Sequence, residues 1–325
     1  MKYIKVFNNH SNYETYINNN DKVLPNVSYC KNNNEIHYNK WYDPIRLVAK
    51  FNVSSNSIST HLINNPTLLK EIEIDGNVLP NVVNSYQFDT TGIHTVKFTL
   101  NDNITSIGGD SFAGILQLIS ITIPEIITTI GDGAFASCIR LKSVRIPNTV
   151  TSIGVQSFFN CNLSKIFIPS SVINISNSFT GNNLYFEDLI FESINPNATF
   201  ILDTTNKVLL NNNGQTLTQG FNNIINIPNT VTTIGSNAFY KCKQLRNITI
   251  PDSVTTIDND GFNGCSSLTS IISLATTAPK IQSNTFTDIK TNGTLYVPSG
   301  SSGYNVWMST VNNYLGKYNW TKIEH

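Results

Sequence analysis

The sequence is poor in charge. Only 13% of its 325 residues are Asp, Glu, Lys or Arg, about half the ~25% of an average soluble chain. The 21 acidic and 21 basic residues cancel, which argues against a basic nucleic-acid binder and against an acidic tail. Histidine is rare, with only His10, His37, His61, His94 and His325. The long span between the last two therefore offers no imidazole for acid–base work or a metal. No run approaches the ~18 apolar residues of a membrane helix, so no membrane insertion is expected. The first ten residues show no apolar h-region and no small-residue cleavage site, so no secretory signal is expected. The last five, Thr321 to His325, form no lipidation box. The GxSxG, HExxH, Walker A, GxGxxG and EF-hand patterns are all missing. Glu187, Asp188 and Glu192 are the one notable carboxylate cluster, and closeness in sequence does not set glycosidase geometry. With no nucleophile–base set, the expectation is a non-enzymatic protein with no cofactor and no metal.

Amides and hydroxyls supply the polarity, and Asn alone occurs 47 times. Sequons such as Asn26-Val27-Ser28 and Asn247-Ile248-Thr249 are expected by chance in such a chain. Hydrophobic residues reach 40% and aromatic ones 10%, enough for a sizeable core. The length suggests about two domains.

A repeat dominates the chain. Ile146-Pro147 follows Ile123-Pro124 after 23 residues, Ile168-Pro169 follows after 22, and Ile250-Pro251 follows Ile227-Pro228 after 23. One unit runs Ile130-Gly131-Asp132-Gly133-Ala134-Phe135, reaches Cys138, then reads Leu141 to Pro147. The Leu-x-x-Ile-x-Ile end suits a short strand with one apolar face. Proline ends that strand because it cannot donate to the ladder. The Gly after Ile is read as permission for a tight turn. Phe112, Phe135, Phe158, Phe239 and Phe262 share one phase and are expected to point inward as an aromatic spine. One coil cannot cover its own apolar face, so the coils must stack into a solenoid.

Cys138, Cys161, Cys242 and Cys265 also recur at one phase. They read as a buried column of small hydrophobes, with a disulfide between neighbours as the alternative. With Cys30 the chain holds five cysteines and no CxxC pair, so no zinc ribbon is expected.

These units resemble the BspA-like class of leucine-rich repeat over about residues 103–298. Ile115 stands where the first unit would carry Cys, and the Leu268 unit lacks Pro. The resemblance implies a mostly β leucine-rich-repeat solenoid over 102–298. Residues 177–222 interrupt it. There Ala198 to Leu202 and Lys207 to Leu210 flank Asp203-Thr204-Thr205-Asn206 as a hairpin. This reads as a β-rich insertion that keeps the solenoid continuous. Residues 299–325 hold Tyr304, Trp307, Tyr314, Tyr318 and Trp320. They read as a C-terminal cap, with carbohydrate stacking as the alternative.

Residues 45–101 alternate as strands, at Leu47 to Val53 and at His94 to Leu100, and Tyr86 to His94 reads as a strand, a Gly turn and a return strand. A small β-sandwich or a β-rich cap is expected, similar to the immunoglobulin-like modules that precede such repeats. No Cys-Trp-Cys pattern supports a true immunoglobulin domain. Residues 1–44, with Val23 to Cys30 and Asn34 to Asn39, resemble the amino-terminal segment of tail-associated proteins in crAss-like phages of gut Bacteroidales. That resemblance implies an assembly segment and a homo-oligomer formed through it.

The expected ligand surface is the outer face of the solenoid sheet, with Lys142, Arg145, Lys165, Phe167, Arg246 and Thr249 as candidate binding residues. Two functions follow. One is a virion or tail-associated protein that binds other virion proteins or bacterial surface polymers. The other is a bacterial cell-surface adhesin that binds glycans or host matrix proteins.

Overall fold

Each circuit of the chain adds one strand to each of two parallel sheets. The Ile-x-Ile segments build a long-strand sheet and the Thr-x-Ile-Gly segments a short-strand sheet. The computed structural model describes residues 29–32, 35–38, 46–175, 178–179, 181, 188–211, 213–224 and 226–325, and their regular structure is mostly β, with almost no helix. The resemblance of residues 1–44 falls largely outside the described residues. Within that stretch, Tyr29–Asn32 and Glu35–Tyr38 pair antiparallel.

In the long-strand sheet, Leu118–Thr122 pairs in parallel with Ser143–Arg145, and Ile166–Ile168 with Leu189–Phe191. Further on, Asn247–Ile250, Ser270–Ser273, Thr294–Val297 and Thr321–Glu324 form a four-stranded parallel sheet in that order. In the short-strand sheet, Ser106–Ile107, Thr129–Ile130, Ser152–Ile153 and Asn174–Ile175 stack in parallel.

The third side of each coil is a tight turn that drives a phenylalanine inward. Phe112, Phe135, Phe158 and Phe179 stack with centroids 5.3, 5.3 and 5.5 Å apart. Phe239, Phe262 and Phe286 continue at 5.0 and 5.9 Å, and Phe286 meets Trp307. The spacing follows the strand repeat of ~4.8 Å, so one ring type at one phase becomes a ladder. Phe179, Phe286 and Trp307 extend it beyond the five rings legible from the repeat.

Each complete turn also needs two left-handed residues four apart. Asp110 and Gly114, Gly133 and Ser137, Gln156 and Asn160, Asn237 and Lys241, and Asp260 and Gly264 all have φ between 52° and 74°. The Gly after Ile is not among them, which corrects the sequence reading. A Cβ on Gly131 would stand 2.9 Å from the Ile107 carbonyl. That glycine lets the neighbouring coil approach, and its φ is ordinary.

The cysteine column is a set of free thiols. Cys138, Cys161 and Cys265 each direct Sγ to a carbonyl of the preceding coil, at Phe112, Phe135 and Phe239, over 2.9, 3.1 and 3.1 Å. Burial pushes the Cys138 and Cys242 thiols up to about 12. They pack as small apolar groups with one weak donor each.

At the N-terminal end, Arg46–Val53 pairs antiparallel with Leu118–Thr122 on one side and with Gly92–Leu100 on the other. Leu69–Ile74 then pairs with Gly92–Leu100. The module and the first coils therefore share one six-stranded sheet. A short ribbon, Thr60–His61 with Ser85–Tyr86, belongs to the same module. Leu62, Ile63 and Phe88 beside it join Leu47, Phe51 and Phe98 in one core. The expected Tyr86–His94 hairpin does not form. Tyr86 pairs with Thr60 and His94 with Phe51, because each strand completes a non-local edge instead.

The interruption is a seam between two cores. Thr199 N–H donates to the Ile173 carbonyl at 2.9 Å, as Thr151 does to Thr128 at 2.8 Å, so the chain entering Phe200–Asp203 bonds to the coil before it as earlier coils do. The chain turns at Asp203, whose carboxylate accepts the Asn206 N–H. Val208–Asn211 returns antiparallel, and Thr216–Gln219 runs forward again to pair with Thr233–Ile234. The register shifts between Leu209 and Leu210. Leu209 packs in the first core, while Val208 and Leu210 pack in the second. On the turn side Gly220 replaces a bulky residue, since a Cβ there would lie 1.9 Å from the Phe239 ring. The turns then close over the seam. Phe159 and Tyr240 lie 4.8 Å apart, and Lys241 Nζ donates to Asn160 Oδ1 at 2.9 Å.

The C-terminal aromatics close the second core. Tyr304, Trp307 and Trp320 are buried. Trp307 Nε1 donates to the Pro279 carbonyl at 3.0 Å and Trp320 Nε1 to the Lys290 carbonyl at 2.6 Å. The Tyr304 hydroxyl sits 2.7 Å from Ser273 Oγ and 2.8 Å from the Ala275 carbonyl. Rings held this way serve the cap and are not open for sugar stacking.

Candidate functional site

Side chains alternate across a strand, so the middle residue of each Ile-x-Ile segment points out of the solenoid. The strand registers align these residues in columns. In the first half Thr122 lies beside Arg145 and Phe167 beside Ile190. In the second half Thr249, Ile272, Tyr296 and Ile323 form one row. A second outer row, two residues earlier, runs Asn247, Ser270, Thr294 and Thr321. The outer face thus carries an apolar and aromatic stripe beside a row of small polar residues.

The candidate residues fall on this face in two groups. Lys142, Arg145, Lys165 and Phe167 sit on neighbouring coils of the first half. Phe167 is 65% exposed, and Lys142 and Lys165 are exposed beside it. Arg145 differs from the two lysines. It is half-buried, and its Nη2 donates to Glu125 Oε1 at 3.1 Å. Arg246 and Thr249 lie in the second half, beyond the seam. Arg246 is exposed and Thr249 half-buried at the head of its row. The six residues do not form one cluster.

Sequence reasoning missed Ile190, Ile272, Tyr296 and Ile323. Their segments are Leu189-Ile190-Phe191, Ile271-Ile272-Ser273, Leu295-Tyr296-Val297 and Lys322-Ile323-Glu324. Three of the four lack the closing proline, so the repeat phase did not bring them into line.

The face continues onto the N-terminal module. There Arg46 bridges Glu71 and Glu73 at 3.2 and 3.0 Å, and Lys97 reaches Glu73 at 2.6 Å. These partly exposed pairs hold the outer side of three strands together. A cleft of about 120 Å³ lies elsewhere in the module, lined by Asp75, Asn77, Tyr86, Phe88 and His94 among others. His94 Nδ1 lies 2.6 Å from Asp75 Oδ2 and Nε2 lies 2.9 Å from the Thr90 carbonyl. Burial raises the Asp75 pKa, but the bonds from His94 and the Thr95 amide and the His94 charge outweigh it, so the carboxyl lies below its usual value. The ring therefore ties a hairpin to a loop. Among the described residues no group of three or more His, Cys, Asp or Glu is placed to hold a metal. No helix among them is long and apolar enough to cross a membrane.

Among solved structures, a leucine-rich cell surface protein of Faecalibacterium prausnitzii matches at 23% identity and a TM-score of 0.49, over 67% of this chain and 63% of that one. The chain thus spans less than two thirds of that protein's length. A leucine-rich repeat protein of Eubacterium ventriosum matches at 22% identity and a TM-score of 0.41, over 69% and 71%. The pneumococcal vaccine antigen PcpA matches at 16% identity and a TM-score of 0.36, over 64% and 68%. No curated protein matches the sequence. The BspA-type leucine-rich repeat region matches in six copies, over residues 56–187 and 218–308. With more than half of its length matched, the chain belongs to the BspA-type leucine-rich repeat family.

Proposed function

We propose that this chain is a non-enzymatic recognition protein, displayed at a bacterial cell surface, that binds a glycan or protein across the outer face of its long-strand sheet. The observation that carries this reading is the outer stripe. Interior positions of the repeat must be apolar to fill the core, but outer positions carry no such demand. Apolar residues nevertheless accumulate there, at Phe167, Ile190, Ile272, Tyr296 and Ile323. Phe167 and Ile323 are exposed and Ile190, Ile272 and Tyr296 half-buried, and a solvent-facing apolar row rimmed by polar residues and cations is the anatomy of a contact surface. Family membership supports display at the surface, since such proteins are typically cell-surface or extracellular.

The test is a binding screen of the immobilised chain against bacterial and host glycans and matrix proteins, repeated with Phe167→Ser and Tyr296→Ser. Loss of an aromatic anchor on the outer face is expected to weaken binding by about tenfold or more. Ile58→Ser, at an exposed position off this sheet, is expected to leave it unchanged. Binding that survives both face variants would overturn the assignment of the face.

A further inference from the structure

The long-strand sheet ends in an open edge. Among the described residues Thr321–Glu324 is the last strand in its order and pairs on one side only, with Thr294–Val297. Thr321 N–H donates to the Gly293 carbonyl at 3.0 Å, and His325 N–H to the Val297 carbonyl at 3.1 Å. In a parallel ladder alternate residues turn their peptide groups to the same side. Residues 321, 323 and 325 therefore bond inward, and the N–H and C=O of Lys322 and Glu324 face the open side. Thr321, Ile323 and Glu324 are exposed, and Ile323 shows 43% of its surface.

We propose that this edge is a two-fold interface with a second copy of the chain. Two such strands placed antiparallel about Ile323 set Lys322 opposite the second copy's Glu324, and Glu324 opposite its Lys322. Facing residues that exchange both peptide hydrogen bonds need those groups on the open side, and Lys322 and Glu324 are the two that have them there. Ile323 then faces its own copy in the non-hydrogen-bonded position, where side chains come closest. Lys322 and Glu324 already form an ion pair within the strand at 3.0 Å. Across the two-fold each gains a second opposite charge. The neighbouring registers are excluded by charge, because centring on Lys322 or on Glu324 sets like residues opposite each other. Charges on an edge strand commonly repel a like edge. Here the order Lys-Ile-Glu makes the strand complementary to itself.

The consequence reaches the proposed ligand face. Two four-stranded sheets merge into one, and the row Ile272, Tyr296, Ile323 runs on into the same row of the second copy. A paired molecule presents the stripe twice on one surface, which raises avidity for a repetitive ligand.

The experiment is sedimentation equilibrium of the full chain over a wide concentration range. The wild type is expected to approach twice its 36.1 kDa mass. Lys322→Glu sets Glu opposite Glu at both cross-strand pairs and is expected to weaken association by about tenfold or more. Adding Glu324→Lys to it is expected to restore the dimer. In a Cys30→Ser background, Ile323→Cys is expected to cross-link two chains under mild oxidation, and Ile58→Cys is not. Unchanged melting temperatures confirm that the variants fold. A wild type that stays monomeric overturns the proposal. So does a dimer that is indifferent to Lys322→Glu and is not cross-linked through position 323, as an interface in residues 1–44 would be.

Discussion

The blocks of coils on either side of Val208–Asn211 have the same interior and different ends. Each stacks phenylalanines and thiols against the same two kinds of strand. The first block is closed by antiparallel strands that extend its sheet. The second is closed by aromatic rings over its core, and among the described residues its sheet edge stays open. Interior packing repeats because every coil must bury the same face, whereas an end meets no next coil and must be solved once. The seam follows the same logic. One coil departs from the repeat there, and a single strand divides its side chains between two cores.

The comparison breaks most sharply in the ladders. Phe135→Ala and Phe262→Ala each empty a fully buried ring site and are expected to cost about 3–5 kcal/mol. Hydrogen exchange should show the loss confined mainly to the block that carries the change. The seam gives a finer contrast. Leu209→Ala and Val208→Ala are expected to cost about 2–4 kcal/mol and to loosen opposite blocks, the first for Leu209 and the second for Val208. Equal loosening of both blocks by either variant would show one cooperative core instead of two.

Gly220→Ala pushes a methyl into the Phe239 ring and is expected to cost about 1–3 kcal/mol in denaturant unfolding, with exchange rising at the seam first. Tyr304→Phe removes the hydroxyl that meets Ser273 and Ala275 and is expected to cost about 1 kcal/mol, felt in the second block alone. The smallest effect is a pH dependence of the N-terminal module. The Asp75 pKa is lowered on folding from its ordinary 3.8. Its stabilising contribution is therefore full above that value and drains as the pH falls through it toward the lower folded pKa. His94→Gln should flatten this acid dependence in pH-resolved melts, with no change in the second block.

Much of the solenoid was legible in the sequence. Phe135 and Phe158, or Cys138 and Cys161, recur at one phase because each coil has a single inward path, and a period is visible without knowing any partner. The seam was legible as two β segments around Asp203. That Leu209 would serve one core and Leu210 the other was not, since adjacent apolar letters look alike. The outer face was read through its cations, and Arg145 proved to be paired with Glu125. The apolar residues Ile190, Ile272, Tyr296 and Ile323 escaped notice because an exposed position has no periodic demand to reveal it.

By itself the sequence determined the coil: its length, its inward residues, its Ile-x-Ile strand and the proline that ends it. These are short-range consequences of side-chain volume, proline and backbone freedom, repeated many times. Tertiary structure alone decided which strand pairs with which at the ends, how the two cores share Val208–Asn211, and which outer residues line up into a stripe. Such choices depend on which unpaired edge and which uncovered core surface another part of the chain happens to complete.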